Sequence, residues 1–425
     1  MSSEHFIFAG HDTVELANRF GTPLYVISEN KIENAINEIK QAFEKNKLDY
    51  SINYAGKAFL NTAMCKIAKK MGIRLDVVSG GELYTAIQAG FEPSKITLHG
   101  SNKSVDEIKM AIDAGVGTIT IDSTSEILLV NQIAGEMGKT VNVHLRLSPG
   151  VEAHTHEYIQ TGRIDSKFGI PISMGTRAAR MTLDCEHLNL TGLHCHIGSQ
   201  IYSGKPFQIA ANAMLEMIFN IKEMGEELTE LNLGGGFGIN YLHDDPVFDV
   251  DEYITLLAET LRSQCKLLGI KIPKVIVEPG RYIVGPAGVT LYSIGTVKEI
   301  PFLRKYVSVD GGMADNPRPA LYNAIHHAVV ANKYNHEAND LVTVSGKCCE
   351  TDTLIKDILL PKCERGDILA VLNTGAYNYS MASHYNRLQV PAVVLLMDEK
   401  AEVIVKRDTY ENLTINDVVP EWLSE

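Results

Sequence analysis

With 425 residues, 45% hydrophobic and 21% charged, the chain is long enough for one large barrel plus a second domain, or for two to three ordinary domains. A formal charge of -13 and the lack of any Lys/Arg-rich stripe argue against nucleic acid or an anionic membrane as partner. Seven cysteines at irregular positions make no disulfide framework and predict a reducing, cytoplasmic setting.

In chain order, the segment Met1-Ser2-Ser3-Glu4-His5-Phe6 lacks the basic and apolar stretches of a secretory signal. The longest apolar run, near Val390 to Met397, is too short to span a bilayer. An early β-run, Leu24-Tyr25-Val26-Ile27, comes first. From there, β-runs at 50–56, 73–78, 95–99, 117–122, 140–147, 190–197, 228–233 and 274–278 alternate with helical patterns such as 61–71, 105–114 and 206–224. Eight such units predict a (β/α)8 TIM-type barrel over residues 28–285. After Pro286 the pattern becomes short β-runs at 289–298, 306–310, 341–345, 367–372, 390–396 and 402–406. These predict a second, mainly β C-terminal domain over 286–425, which the segment 1–27 joins.

Four motifs fall just beyond barrel strands, where such barrels gather their chemistry. Lys57 follows the first strand, His194-Cys195-His196-Ile197-Gly198-Ser199-Gln200 the sixth, Gly234-Gly235-Gly236 the seventh, and Glu278-Pro279-Gly280-Arg281 the eighth. An amine, a glycine-rich anion cradle and a carboxylate suit an aldehyde cofactor with a phosphate and a basic ring nitrogen. Each motif also has a plain structural reading. The glycine triplet makes a tight strand-to-helix turn equally well. Glu278 and Arg281 could form a structural ion pair. His194 and His196, one apart, could line a zinc site with Asp122 or Asp310, or pack in the core; a flat imidazole stacked on a cofactor suits His196 better, and no metal is expected. In the second domain Cys348 and Cys349 read as inert buried thiols, and Arg318, Tyr322 and Tyr377 as ordinary loop residues.

Taken together these residues resemble the pyridoxal-phosphate decarboxylases with an alanine-racemase-like barrel, fold type III, and especially those acting on diaminopimelate. The likeness runs from Tyr54-Ala55-Gly56-Lys57-Ala58 to Gly375-Ala376-Tyr377 and includes Val78-Ser79-Gly80-Gly81-Glu82-Leu83, His99-Gly100-Ser101-Asn102-Lys103-Ser104, Thr161-Gly162 with Lys167-Phe168-Gly169, and Cys349-Glu350. It implies that Lys57 carries pyridoxal 5'-phosphate as a Schiff base, that His196 stacks on the ring, and that Glu278 keeps the ring nitrogen protonated. Ser199, Gly234 to Gly236, Pro279, Gly280, Arg281 and Tyr377 would complete the cofactor site. Arg281, Arg318, Tyr322, Tyr377 and Glu350 would bind substrate, with Cys349 catalytic and the Cys349-Glu350 pair inserted by the partner of a homodimer. The implied reaction is decarboxylation of meso-2,6-diaminopimelate to L-lysine and CO2; the same scaffold could take another basic or carrier-bound amino acid. Lys347, Ser148 and Asn378 depart from the usual family pattern and bear on the substrate more than on the cofactor.

Overall fold

The computed structural model describes residues 4–151, 167–242 and 244–423, so Thr161 and Gly162 lie outside the described residues. The chain divides into two compact units: residues 33–240 with 244–283, and residues 1–32, 241–243 and 284–425.

The barrel of the first unit is built from eight strands: β1 (Tyr50–Ala55), β2 (Arg74–Val77), β3 (Ile96–Leu98), β4 (Thr118–Ile121), β5 (Val141–Ser148), β6 (Leu188–His194), β7 (Glu230–Asn232) and β8 (Lys274–Val277), with the two-residue strand Ile170–Pro171 added on β5. Each pairs in parallel with the next, and β8 pairs with β1 through Val277 beside Ile52, so the sheet closes into a barrel. The strand pattern explains why the interior is polar near one end. In β4, Thr118 and Thr120 alternate with Ile119 and Ile121, and all four are buried, so one set faces the lumen while the other packs outward. Polar residues of alternate strands meet inside the barrel, as where Asn53 Nδ2 of β1 donates to Thr97 Oγ1 of β3 at 3.1 Å.

Several of the quoted motifs are helix caps. Ser79 accepts from the Glu82 N–H to start Gly80–Gln88, and Ser104 forms a reciprocal capping box with Glu107 at Val105–Ala114. Glu82 and Glu107 then reach back to the N–H groups of Val78 and Gly80, both at 2.8 Å. At the opposite end the helices turn into the next strand through short left-handed caps, as at Gly115 (φ 76°) and Gly269 (φ 63°), where open space surrounds the backbone.

The second unit is mainly β, in accord with the sequence. Its main sheet runs β13 (Thr353–Leu360), β12 (Asp340–Ser345), β10 (Arg304–Val309), β9 (Gly288–Ile300), the early strand Leu24–Ser28, β15 (Ala392–Met397) and β16 (Lys400–Val405). A further strand, β14 (Ile368–Leu372), pairs with β9 and with β11 (Ala328–Val330). Alternation along β9 and β14 divides the apolar side chains between two cores. Val289, Leu291, Ile368 and Ala370 enter one; Tyr292, Ile294, Leu369 and Val371 enter the other. Strands β11 and β13 were not expected. The first is three residues long, and Asp357 of the second has φ 54°, which breaks the alternation a sequence pattern depends on.

Asp315 is 4% exposed in this unit; its carboxylate accepts from the Gly312 N–H at 2.9 Å and from the Tyr292 hydroxyl. Burial pushes the Asp315 carboxyl up to about 7. Its value in the unfolded chain is about 3.9, so its contribution to stability is complete in acid and is lost as pH rises to about 7. Between pH 5 and pH 8 that loss is roughly 2–3 kcal/mol. Urea unfolding of Asp315→Asn will show a fall over this interval smaller than the parent's by that amount. An equal fall in both proteins would mean that Asp315 does not retain its proton.

Candidate active site

The barrel strands deliver their polar ends to one mouth. Lys57 lies in the one-turn helix Gly56–Ala58 directly after β1 and is exposed. The loop after β8 packs onto it: Ala55 N–H donates to the Pro279 carbonyl, and a Cβ on Gly280 would sit 3.0 Å from Ala58 Cβ and 3.1 Å from Ala55 Cβ. Gly280 is therefore required by close approach, and the Glu278–Arg281 loop is fixed relative to Lys57.

Glu278 is the most constrained group. His99 Nε2 at 2.8 Å, Asn232 Nδ2 at 2.6 Å and His194 Nε2 at 3.1 Å all point at its carboxylate, which is 6% exposed. Burial favours the neutral acid, but His99 and His194 outweigh it and hold the carboxyl well below the usual range. Burial likewise opposes charge on His99, and the carboxylates of Asp76 (3.8 Å) and Glu278 overcome it, raising its pKa. His194 goes the other way: burial lowers it to about 3, so it donates to Glu278 as a neutral imidazole. Asp76, pushed up to about 6 by burial, keeps one buried oxygen, Oδ1, without a hydrogen-bond partner.

Strand β6 ends at His194, not at residue 197, so His196 leaves the ladder. The two histidines expected to face alike go to different partners. His194 meets Glu278, whereas His196 Nδ1 accepts from the Gly235 N–H at 3.2 Å. Burial lowers His196 well below its ordinary value, and the cations Lys57 and Arg146 add to the effect, so the ring is neutral. His99, His194 and Glu278 bring three ligand-type atoms within 4.8 Å of one another. Both imidazole Nε2 atoms are, however, spent on the carboxylate.

Ser199 Oγ lies 3.3 Å from Arg281 Nε and 3.1 Å from Arg281 Nη2, which joins the loops after β6 and β8 in a corner with a hydroxyl and a guanidinium. The glycine triplet borders it. A Cβ on Gly235 would meet the Glu278 carbonyl at 2.1 Å, and one on Gly236 the Gly198 carbonyl at 2.4 Å. The Gly234 N–H donates to Asn232 Oδ1 at 2.9 Å and the Gly235 N–H to His196, so the first two amides serve the protein rather than forming an open cradle. The triplet's glycines are needed to let three loops touch.

The other expected residues lie in the second unit. Arg318 sits among three aromatic rings, with its Cζ 5.5 Å from the centroids of Tyr322 and Tyr377 and 5.8 Å from that of Tyr241. Cys349 and Glu350 occupy the loop between β12 and β13, and both are exposed, whereas Cys348 is buried. Exposure of Cys349 departs from the reading of two inert buried thiols.

Residues to which the sequence reading gave no individual role support Glu278. Asp76, His99 and Asn232 come from β2, the end of β3 and β7, and only barrel closure gathers them. Their one signal was a polar residue inside or ending an apolar run.

This donor set fits pyridoxal phosphate. An ionised buried carboxylate suits a protonated ring nitrogen, a neutral imidazole suits a ring face, and the Ser199–Arg281 corner suits a phosphate or carboxylate. Residues 29–285 match the pyridoxal-binding domain of the pyridoxal-dependent decarboxylases. The chain is 46% identical over 413 residues to diaminopimelate decarboxylase of Bacillus subtilis, covering 96% of this chain and 94% of that protein. It is 48% identical over 406 residues to the enzyme of Staphylococcus aureus, covering 95% of each. Its fold is similar to the crystal structure of diaminopimelate decarboxylase from M. jannaschii in complex with L-lysine, with a TM-score of 0.93, 37% identity, and coverage of 100% of this chain and 98% of that one. The ordered motifs, the closed barrel with its mainly β companion and these near-full-length matches place the chain in the diaminopimelate decarboxylase family of pyridoxal-dependent decarboxylases.

Proposed function

We propose that this chain decarboxylates meso-2,6-diaminopimelate to L-lysine and CO2 with pyridoxal phosphate, as a cytoplasmic homodimer whose subunits complete each other's sites. The observation that carries the reading is the Glu278 carboxylate, buried and held ionised by three donors at the mouth where Lys57 follows β1. Among the described residues no helix is long and apolar enough to cross a membrane.

Pyridoxal phosphate, when bound, supplies an electron sink for the pair left on carbon as CO2 departs. Lys57 is the residue that would hold the cofactor through its aldehyde carbon and free it for the substrate amine. Glu278 keeps a proton on the ring nitrogen, with His99, His194 and Asn232 keeping Glu278 an anion. His196, neutral, would lie against the ring without adding charge. Ser199, the turn Gly234 to Gly236, Pro279, Gly280 and Tyr377 would line the phosphate, although the Gly234 and Gly235 amides are engaged within the protein. Arg281, Arg318 and Tyr322 orient substrate carboxylates through paired N–H or O–H donors. From the partner subunit's copy of the loop, the Cys349 thiol returns a proton to carbon and Glu350 receives the distal ammonium.

Carbon dioxide release from a panel of meso-2,6-diaminopimelate, L-lysine, L-ornithine and L-arginine tests the substrate. Release from the first alone is expected, and a preference for another would replace it. Subunit sharing is tested by mixing inactive Lys57→Ala with inactive Cys349→Ala. Random exchange makes about half the dimers mixed, each with one intact site, so roughly a quarter of the parent activity will return. Confirmed exchange without recovery would mean that Cys349 does not serve a partner's Lys57.

A further inference from the structure

Glu350 is an exposed carboxylate on a loop, and such a side chain ordinarily gives up rotamer freedom when it binds a ligand. Here the loop is braced from two sides. Beneath it, the buried Asp352 accepts from the Met313 N–H at 2.9 Å and from the Cys348 N–H at 3.0 Å, while its own carbonyl accepts from the Gly346 N–H at 2.8 Å. On its flank, the Tyr385 hydroxyl donates to Glu350 Oε1 at 2.9 Å, and Asn386 Oδ1 accepts from the Cys349 N–H at 2.8 Å.

The flanking turn, Tyr385–Arg387, is unusual in itself. Asn386 (φ 52°) and Arg387 (φ 56°) both lie in the left-handed region, which asparagine tolerates and arginine disfavours. The turn is held there by the chain's last segment. His384 Nε2 bonds Asp408 Oδ2 at 2.8 Å, Arg387 Nη2 pairs with Asp417 Oδ2 at 2.7 Å, and the Val390 N–H donates to Asp408 Oδ2 at 3.1 Å. A strained turn maintained by three such contacts, and directed at the two neighbouring residues Cys349 and Glu350, points to a role beyond chain reversal.

We propose that Tyr385 is a positioning residue for Glu350 and sets selectivity for substrates with a distal ammonium group. The inference rests on the proposed function in taking Glu350 as the carboxylate that receives this ammonium. With Oε1 engaged by the phenol, the rotamer of Glu350 is fixed before the ligand arrives, and Oε2 is the oxygen that meets it. Tyr385 is given no part in the chemical step, only a hydrogen bond to Glu350, so its loss is expected to act on binding rather than on the chemical step.

The test uses the full-length holoenzyme, with steady-state kinetics on meso-2,6-diaminopimelate and calorimetric titration with L-lysine. Tyr385→Phe keeps the ring and removes the hydroxyl. It is expected to raise KM and to weaken L-lysine binding roughly five- to tenfold, with kcat within about twofold of the parent, as suits one exposed charge-assisted hydrogen bond. In a Glu350→Gln background the same change is expected to add little. Unchanged KM and L-lysine binding in Tyr385→Phe, with both weakened in Glu350→Gln, would overturn this inference and leave the functional reading standing. If Glu350→Gln changes neither constant, the role given to Glu350 falls, and the inference with it. A fall in kcat of Tyr385→Phe as large as its rise in KM would also overturn it, because a general disturbance of the loop would then be the cause.

Discussion

Replacing Lys57 with alanine will leave a folded protein whose decarboxylase turnover is lower by about 10⁴-fold or more, because the proposed function gives Lys57 the task of holding the cofactor's aldehyde carbon and releasing it to the substrate amine. Lys57 follows β1 in a turn pinned by Ala55, Ala58 and Gly280, so its position is fixed although its side chain is exposed. Borohydride treatment of the parent followed by peptide mass analysis will find the reduced cofactor on the peptide containing Lys57. Finding it on another lysine, or recovering substantial turnover in Lys57→Ala, would remove Lys57 from its role. The substitution exchanges an exposed side chain, so the thermal midpoint of the apoprotein will scarcely change, and that separates lost chemistry from lost folding.

Glu278→Gln will bind pyridoxal phosphate and lose about 10²- to 10⁴-fold in turnover. The volume hardly changes, but an amide cannot supply the negative charge that keeps a ring nitrogen protonated. The surrounding geometry sharpens this expectation. His99, Asn232 and His194 all donate to the carboxylate, so an amide NH2 placed there either faces a donor or forces neutral His194 into its other tautomer. The loss will therefore appear in kcat, with the cofactor still retained through Lys57 and the phosphate corner. Near-normal turnover would show that Glu278 does not govern the ring proton.

The barrel was legible because parallel strands buried on both faces appear as short apolar runs, and each of the eight expected runs has a strand in it. Their ends were less legible. The run 190–197 stops as a strand at His194, since the following residues depart toward the Gly234–Gly236 turn and stop pairing in the ladder. Lys57 and Glu278 could be found as charged residues at strand ends. The part played by Asp76, His99 and Asn232 could not, although His99 heads one of the motifs, because what matters about them is that β2, β3 and β7 bring them to β8, and linear spacing carries no trace of barrel closure. Tyr385 and Asn386 escaped notice for a similar reason: their partners lie in another loop, and a left-handed asparagine leaves no periodic signal.

The turns at Gly115 and Gly269 have a practical side. They sit at the end of the barrel remote from Lys57 and Glu278, and nothing crowds their backbone. What a glycine supplies there is a direction of the chain, whereas at Gly235 and Gly280 it supplies room for a neighbouring loop. The two ends of one barrel are thus unequal as places to intervene. A new chain opening, a tether or an inserted peptide beside Gly115 or Gly269, both exposed, would meet solvent, while a single added methyl at residue 235 would collide with the carbonyl of Glu278. The barrel carries a built-in handle at the end away from its chemistry.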